Sequence, residues 1–217
     1  MPLKGAFINL GAGLLGALPN IIIFQFNPVK VTRTPSLVQP PAPETGSGAS
    51  DAMQQPAQPT ESYGFSLRID ATDQLASSNP IAAASGILPA LSALELLMVP
   101  KSSLTIDLSK LSGQKKPHQH PPERLPTILF FWGPFRIMPV TINSLSITET
   151  EYDQLLNPIR AEVSVNLKVL TPGQLAKDQE FARGAYKYSQ GVKEVMAALN
   201  LANTAAMGIS GGISLSF

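Results

Sequence analysis

Three glycines near the N-terminus have the spacing of a dinucleotide-binding loop, because Gly11, Gly13 and Gly16 form G-x-G-x-x-G after an apolar run. In such loops a helix begins at the third glycine, and its N-terminus binds the pyrophosphate. Here Pro19 and Asn20 follow too closely for a useful helix, and no acidic residue lies about 20 positions on to bind a ribose. The sequence therefore favours an apolar loop between two strands. The alternative is a nucleotide- or small-molecule-binding domain that uses this loop.

Two histidines and a run of acidic residues are the other candidates for chemistry. His118 and His120 lie in a proline-rich loop with no cysteine or acidic cluster beside them, whereas a metal site needs further ligands in fixed geometry. Glu149, Glu151 and Asp153 alternate at the end of a predicted strand, but catalytic carboxylates usually need a pocket that raises one pKa. We predict solvated segments at both places, with no metal, no cofactor and no enzymatic activity.

A cluster of aromatic residues could stack on nucleic-acid bases: Phe130, Phe131, Trp132 and Phe135. Little positive charge lies nearby, and the net charge of the whole chain is only +1. A protein that binds nucleic acid by neutralising phosphates needs more basic residues. These aromatic residues are therefore predicted to lie in a core or a subunit interface, and nucleic acid is not an expected partner.

The composition favours one medium-sized domain that other proteins partly cover. The chain has 217 residues, and 44% of them are hydrophobic. Only 14% are charged, well below the usual quarter, and a surface with so little charge is poorly soluble by itself. No segment reaches the roughly 18 apolar residues of a membrane span. The absence of cysteine fits a cytoplasmic protein.

Alternating apolar residues predict a mainly β fold with additional helices. The predicted strands cover residues 3–10, 20–26, 29–34, 63–71, 127–132, 135–148 and 160–170. The strand at 29–34 is expected to return from the strand at 20–26 after a turn at Asn27 and Pro28. A change of phase near Asn143 and Ser144 predicts a β-bulge.

Two helical regions complete the pattern. Asn79 is a predicted N-cap for a helix over residues 80–98, which Gly86 and Pro89 should divide. Residues 174–206 have helical composition, and six apolar side chains are predicted to anchor this region: Leu175, Phe181, Tyr188, Val192, Val195 and Leu199. We therefore predict a β-domain over residues 1–172, with a Pro/Gly/Ser-rich insertion at 35–60, and a helical extension and tail over 173–217.

Three short motifs, in a fixed order, resemble the tube-initiator or spike-adaptor proteins of contractile injection systems. The first is the turn formed by Phe26, Asn27 and Pro28. The second is a strand of the form P-x-hydrophobic-x-F-x-W-G over residues 126–133, with Phe130, Trp132 and Gly133 at its motif positions. The third is R-A-x-V-x-V-x-L, which begins at Arg160. The resemblance covers residues 3–172.

The resemblance implies a small tube-type β-barrel of two packed antiparallel sheets with a flanking helix. Six copies would form a ring that joins the trimeric spike hub to the hexameric inner tube, templates tube assembly and contacts baseplate wedge proteins. The expected location is the cytoplasm, in a particle that is either released or anchored to a membrane. Family members often continue into a LysM domain, whereas residues 173–217 have helical and Gly/Ser-rich composition.

Overall fold

The computed structural model of the chain describes residues 2–10, 20–37, 59–100 and 125–206. These residues form seven strands and four α-helices, and a short 3₁₀ turn over Leu96–Met98 follows the third helix. In chain order the elements are β1 (Ala6–Asn9), β2 (Asn20–Ile23), β3 (Val31–Ser36), β4 (Thr60–Asp70), α1 (Thr72–Ala76), α2 (Pro80–Ser85), α3 (Leu88–Glu95), β5 (Ile128–Phe131), β6 (Ile137–Tyr152), β7 (Pro158–Val169) and α4 (Glu180–Ala206).

All seven strands belong to one antiparallel sheet with the order β2-β1-β5-β6-β7-β4-β3. The mixed α and β composition agrees with the prediction, but one sheet replaces the two that were expected, and its two edge strands are not paired with each other. The predicted hairpin of β2 and β3 is wrong, because these strands lie at opposite edges of the sheet. Long-range pairing of β2 with β1, and of β3 with β4, separates them despite the short turn between them.

The sheet curls so that its two halves pack face to face. In a flat sheet, β5 and β4 would lie about 14 Å apart, because two strands separate them at about 4.8 Å per step. The ring centroids of Phe130 on β5 and Phe65 on β4 are only 5.4 Å apart. Phe7 on β1 also stacks on Phe65, at 6.3 Å. These buried aromatic rings are the centre of the hydrophobic core.

The local strand predictions hold for β5, β6 and β7. In β7 the alternate residues Val163, Val165 and Leu167 are buried, as predicted from their spacing. In β6 the register shifts between Ile142 and Ser144, which confirms the predicted bulge. The short strand β5 is buried on both faces over its first three residues, as expected from its continuous apolar sequence.

The region between β4 and β5 contains the divided helix that the sequence predicts. The Asn79 side chain accepts hydrogen bonds from the backbone N–H groups of Ile81 and Ala82, which caps α2. Helix α2 ends at Ser85 and is followed by Gly86, which has a φ of 57°, and α3 begins at Leu88. Leu91 and Leu94 on α3 are buried against the core.

Helix α4 packs against β6, but it uses a different face from the one predicted. Its buried residues, Ala182, Tyr186 and Ser189, follow the period of a helix. Of the six predicted anchors, Leu175 is buried and precedes the helix, whereas Phe181, Tyr188, Val195 and Leu199 are exposed. The helix has two apolar stripes, and the sequence pattern cannot determine which of them contacts the sheet. Among the described residues, no helix combines the length and the apolar character needed to cross a membrane.

Candidate functional site

The motif residues divide between two separate places on the fold. Phe26, Asn27, Pro28 and Arg160 line one open groove with a volume of about 840 Å³. Val29, Arg68 and Glu162 also contribute to its wall. The groove lies where β4 continues to Asp70, beyond its last pairing with β3 at Phe65. It is therefore next to a stretch of β4 that β3 does not cover.

Asn27 joins the segment after β2 to the segment before β1. Its side-chain oxygen accepts a hydrogen bond from the N–H of Gly5 at 2.9 Å, and its side-chain nitrogen donates to the carbonyl of Leu3 at 2.8 Å. The carboxamide thus extends the β1–β2 ladder, in which the N–H of Phe24 donates to the carbonyl of Gly5. The predicted turn residue is consequently a specific link between two segments about twenty residues apart.

We expect Asn27→Ala to lower the free energy of unfolding by about 1–3 kcal/mol, because both hydrogen bonds are lost and a partly buried N–H is left without a partner. Urea unfolding followed by the fluorescence of Trp132, the single tryptophan, measures the change. Asn200→Ala on the exposed side of α4 is the matched control and should stay within about 0.5 kcal/mol of the wild type. Equal effects of the two substitutions would contradict a specific role for Asn27.

A second set of bonds ties the segment after β2 to the end of β4. The Gln25 carboxamide donates to the carbonyl of Asp70 at 2.6 Å and accepts from its N–H at 2.9 Å. The Asp70 carboxylate accepts from the guanidinium groups of Arg160 at 2.8 Å and Arg68 at 3.0 Å. Arg160 also pairs with Glu151. The motif residue Arg160 is therefore an ion-pair partner of a nearly buried carboxylate.

The surroundings of Asp70 hold the pKa of its carboxyl well below the usual range. The hydrogen bond from the Thr72 hydroxyl is the main cause; burial opposes it, while the Thr72 N–H, Arg160 and Arg68 add to the lowering. A carboxyl with a lowered pKa remains ionised, so it is unsuited to donate a proton as a general acid. Asp70 consequently has the properties of a structural anion.

The lowered pKa of Asp70 predicts a loss of stability in acid. The folded-state pKa lies below the unfolded value of about 3.9, so the stabilising effect is complete above that value and is lost as the pH falls through the folded pKa. We expect Asp70→Asn to be less stable at neutral pH and to show a flatter dependence on pH below about 4. Urea unfolding at several pH values measures this, and Asp73→Asn controls for the loss of one negative charge at an exposed site.

The remaining motif residues, Phe130, Trp132 and Gly133, lie near the end of β5 and in the turn that follows it. Phe130 is fully buried in the core, which confirms the core alternative for this aromatic residue. Trp132 is partly buried, and a side chain on Gly5 would approach it to 2.8 Å, so Gly5 leaves the space that the indole occupies. Gly133 has a φ of 84°, which favours glycine, in the turn between β5 and β6. Phe135 in the same turn is 57% exposed.

Trp132 borders a second groove of about 700 Å³, which no motif in the sequence predicts. Its walls come from β3, β4, the β5–β6 turn, the start of β6 and α4, and they include Arg33, Tyr63, Trp132, Phe135, Arg136, Met138, Lys193 and Met196. Lys193 pairs with Glu61, to which the Tyr63 hydroxyl donates a hydrogen bond at 3.3 Å. The three basic residues of this groove are Arg33, Arg136 and Lys193, and more than one hundred positions separate the first from the other two. No local sequence pattern could therefore predict that they lie together.

The acidic run forms the end of the β6–β7 hairpin, and it does not form a catalytic pair. Glu151 bonds to Arg160, and register shifts on both sides of it break the strict alternation that the sequence predicts. Asp153 accepts hydrogen bonds from the N–H groups of Leu155 and Asn157, both at 2.8 Å. Hydrogen bonds from the Asn157 side chain and backbone lower the pKa of Asp153, whereas an acid catalyst usually needs a raised pKa.

The other candidate residues for chemistry fall outside the described part of the chain. These are the glycines at 11, 13 and 16 and the histidines at 118 and 120. Within the ranges that the structure does describe, no group of three His, Cys, Asp or Glu side chains could hold a metal ion. No protein-family model matches the sequence, and no curated protein matches it.

Proposed function

We propose that this chain is a structural ring subunit of a contractile injection particle, which joins the spike hub to the inner tube and templates tube assembly. The observation that carries the proposal is the open, curled sheet. Each of its edge strands, β2 and β3, has a strand partner on one side only among the described residues. Unpaired edges promote association with another chain, and a closed ring of subunits is one way to cover them.

The exposed apolar surface supports the same proposal. Ile21 and Ile23 on the edge strand β2 are more than half exposed. On α4, every described side chain from position 194 to 203 is exposed, and Glu194 is the only charged residue after Lys193. Such apolar surfaces on a chain with few charges favour contact with other subunits. The curled sheet would supply one subunit's share of a tube-type β-barrel wall.

The motif residues support the proposal because they stabilise the folded subunit. Asn27 and Arg160 hold the ends of strands together through hydrogen bonds and ion pairs, and Phe130 fills the core between the two halves of the sheet. These roles suit a rigid assembly subunit.

Native mass spectrometry tests the ring. Six copies of the 23.1-kDa chain give a ring of about 139 kDa, and the masses of any bound spike and inner-tube proteins add to this value. We expect Ile21→Lys combined with Ile23→Lys to abolish this species, because lysine on an edge strand opposes strand pairing. Ile81→Lys, at an exposed position on α2, is the matched control and should assemble. A chain that stays monomeric both alone and with those partners would contradict the proposal.

A further inference from the structure

We infer that the end of the β6–β7 hairpin of one copy docks into the groove of about 700 Å³ on the next copy. This inference rests on the proposed function, since it names the contact that would hold neighbouring subunits together. The hairpin end is defined as residues 152–157, and the basic groove is defined by Arg33, Trp132, Phe135, Arg136, Lys193 and Met196.

The hairpin end presents apolar side chains to solvent. Leu155 is 78% exposed and Leu156 is 79% exposed, next to the half-exposed ring of Tyr152. Leu156 also has a φ of 64°, a conformation that costs a non-glycine residue on the order of 1 kcal/mol or more. Two exposed leucines, one of them strained, are unfavourable in an isolated subunit. Burial in a partner would offset both costs.

The same segment is held in a fixed shape. The Asp153 carboxylate accepts hydrogen bonds from Leu155 and Asn157, and the Asp153 N–H donates to the carbonyl of Asn157 at 2.9 Å. At the base of the hairpin, the Pro158 carbonyl accepts a hydrogen bond from the N–H of Ile87 at 2.9 Å. Because the segment is already ordered, little conformational entropy is lost on docking.

The basic groove is complementary to this segment in both polarity and charge. Its apolar part contains Trp132, the exposed ring of Phe135 and Met196, which can contact leucine side chains. Arg33 and Arg136 are exposed at its wall and form no salt bridge with an acidic residue in the described ranges. The hairpin end carries the opposite charge.

Acidic residues precede the two leucines of the hairpin along the chain. Glu149 and Glu151 lie near the C-terminal end of β6, and Asp153 is the first residue after the strand. Arg160 neutralises part of this charge through Glu151. Opposite charges at the rim of an interface steer the two surfaces together and fix their relative orientation.

The hairpin end of one copy lies far from the groove of the same copy. Strand β6 begins at Ile137 beside the groove and ends at Tyr152 beside the hairpin end. Sixteen residues at about 3.3 Å each separate the two places by about 50 Å along the strand. A hairpin end that occupies the groove therefore belongs to another molecule. A contact between two different surfaces of identical chains is head-to-tail, and repeated contacts of this kind close into a ring or extend into a filament.

Cross-linking between introduced cysteines tests the contact, because the chain has no cysteine of its own. We introduce Leu155→Cys in one full-length chain and Phe135→Cys in another, and add a short bis-maleimide to the mixture. The mixture should give covalent dimers at about tenfold or more the yield of either variant alone, because docking raises the local concentration of the two thiols. A chain carrying both substitutions should give a ladder of higher oligomers.

The matched control is a mixture in which Ile81→Cys, also at an exposed apolar position, replaces Leu155→Cys. If native mass spectrometry shows a ring but the Leu155→Cys mixture gives no more dimer than this control, the docking inference is wrong and the ring proposal stands. Equal dimer yield from Leu155→Cys alone would also overturn the inference, because it indicates contact between two hairpins. A chain that remains monomeric in every mixture overturns both.

Discussion

Replacement of Phe130 by alanine should lower the free energy of unfolding by about 3–5 kcal/mol, the usual cost of removing a large buried aromatic side chain. Phe130 is fully buried, and its ring lies within 6.4 Å, centroid to centroid, of five other rings: Phe7, Phe24, Tyr63, Phe65 and Trp132. The substitution leaves a cavity at the point where the two halves of the sheet meet. Urea unfolding at a fixed protein concentration measures the loss.

Phe135→Ala is the matched control for this prediction, because it removes the same side chain five residues away at an exposed position. Its effect on unfolding should remain within about 0.5 kcal/mol of the wild type. If Phe130→Ala were no more destabilising than Phe135→Ala, the aromatic cluster would not be the centre of the core. The pair of variants also separates folding from assembly, since Phe135 borders the basic groove.

Replacement of Gly86 by alanine should cost about 3–4 kcal/mol of folding free energy, for two independent reasons. Gly86 has a φ of 57° and a ψ of −128°, a region that residues with a side chain rarely adopt. A Cβ atom at this position would lie 2.1 Å from the carbonyl oxygen of Pro158. The backbone must shift to accept it, and the hydrogen bond from Ile87 to the same carbonyl would be strained.

Gly184→Ala is expected to raise the stability of the fold, whereas Gly86→Ala lowers it. Apart from the neighbouring residues and the backbone of its own helix, no described atom lies within 4 Å of a Cβ built on Gly184, which is inside α4. Alanine is a better helix former than glycine, so we expect a gain of about 0.5–1 kcal/mol. Thermal unfolding of both variants provides the comparison. A mild effect of Gly86→Ala would show that the corner between α2 and α3 can move away from the hairpin.

The prediction for Gly86 also bears on assembly. Pro158 is the first residue of β7, at the base of the hairpin that we propose to dock in the basic groove. The corner between α2 and α3 supports that base through Ile87, while Asp153 orders the turn above it. Damage at Gly86 is therefore expected to loosen the docking segment as well as the fold. Gly86→Ala is thus expected to affect both the folding stability and the proposed docking contact, because the backbones at Gly86 and Pro158 lie close together.

Local patterns in the sequence were sufficient for several elements. The alternation in β7, the bulge after Ile142 and the cap at Asn79 each depend on residues close together in the chain. Side-chain period and turn chemistry specify such features directly. The mixed composition of strands and helices was predictable for the same reason. The boundaries of the elements were less predictable. Strand β3 continues through Pro35 and Ser36, whereas the sequence predicts that the insertion begins at residue 35.

Features that need long-range contacts were decided by the tertiary structure alone. The turn at Asn27 was predictable, but its bonds to residues 3 and 5 were not, because they depend on the pairing of β1 with β2. Likewise, both stripes of α4 have helical spacing, and only packing against β6 selected the one that contains Ala182 and Tyr186.

The candidate functional surfaces also combine features that the local sequence specifies with features that only the folded chain creates. The sequence by itself determined the positions of most strands, the cap at Asn79, the low charge and the three motifs, since each is specified by neighbouring residues or by composition. Only the folded chain placed β2 and β3 at opposite edges, brought Arg33 and Arg136 to one groove, and paired Asp70 with Arg160. The physical reason is that curling of the sheet depends on contacts between residues far apart in the chain, and no local propensity encodes them.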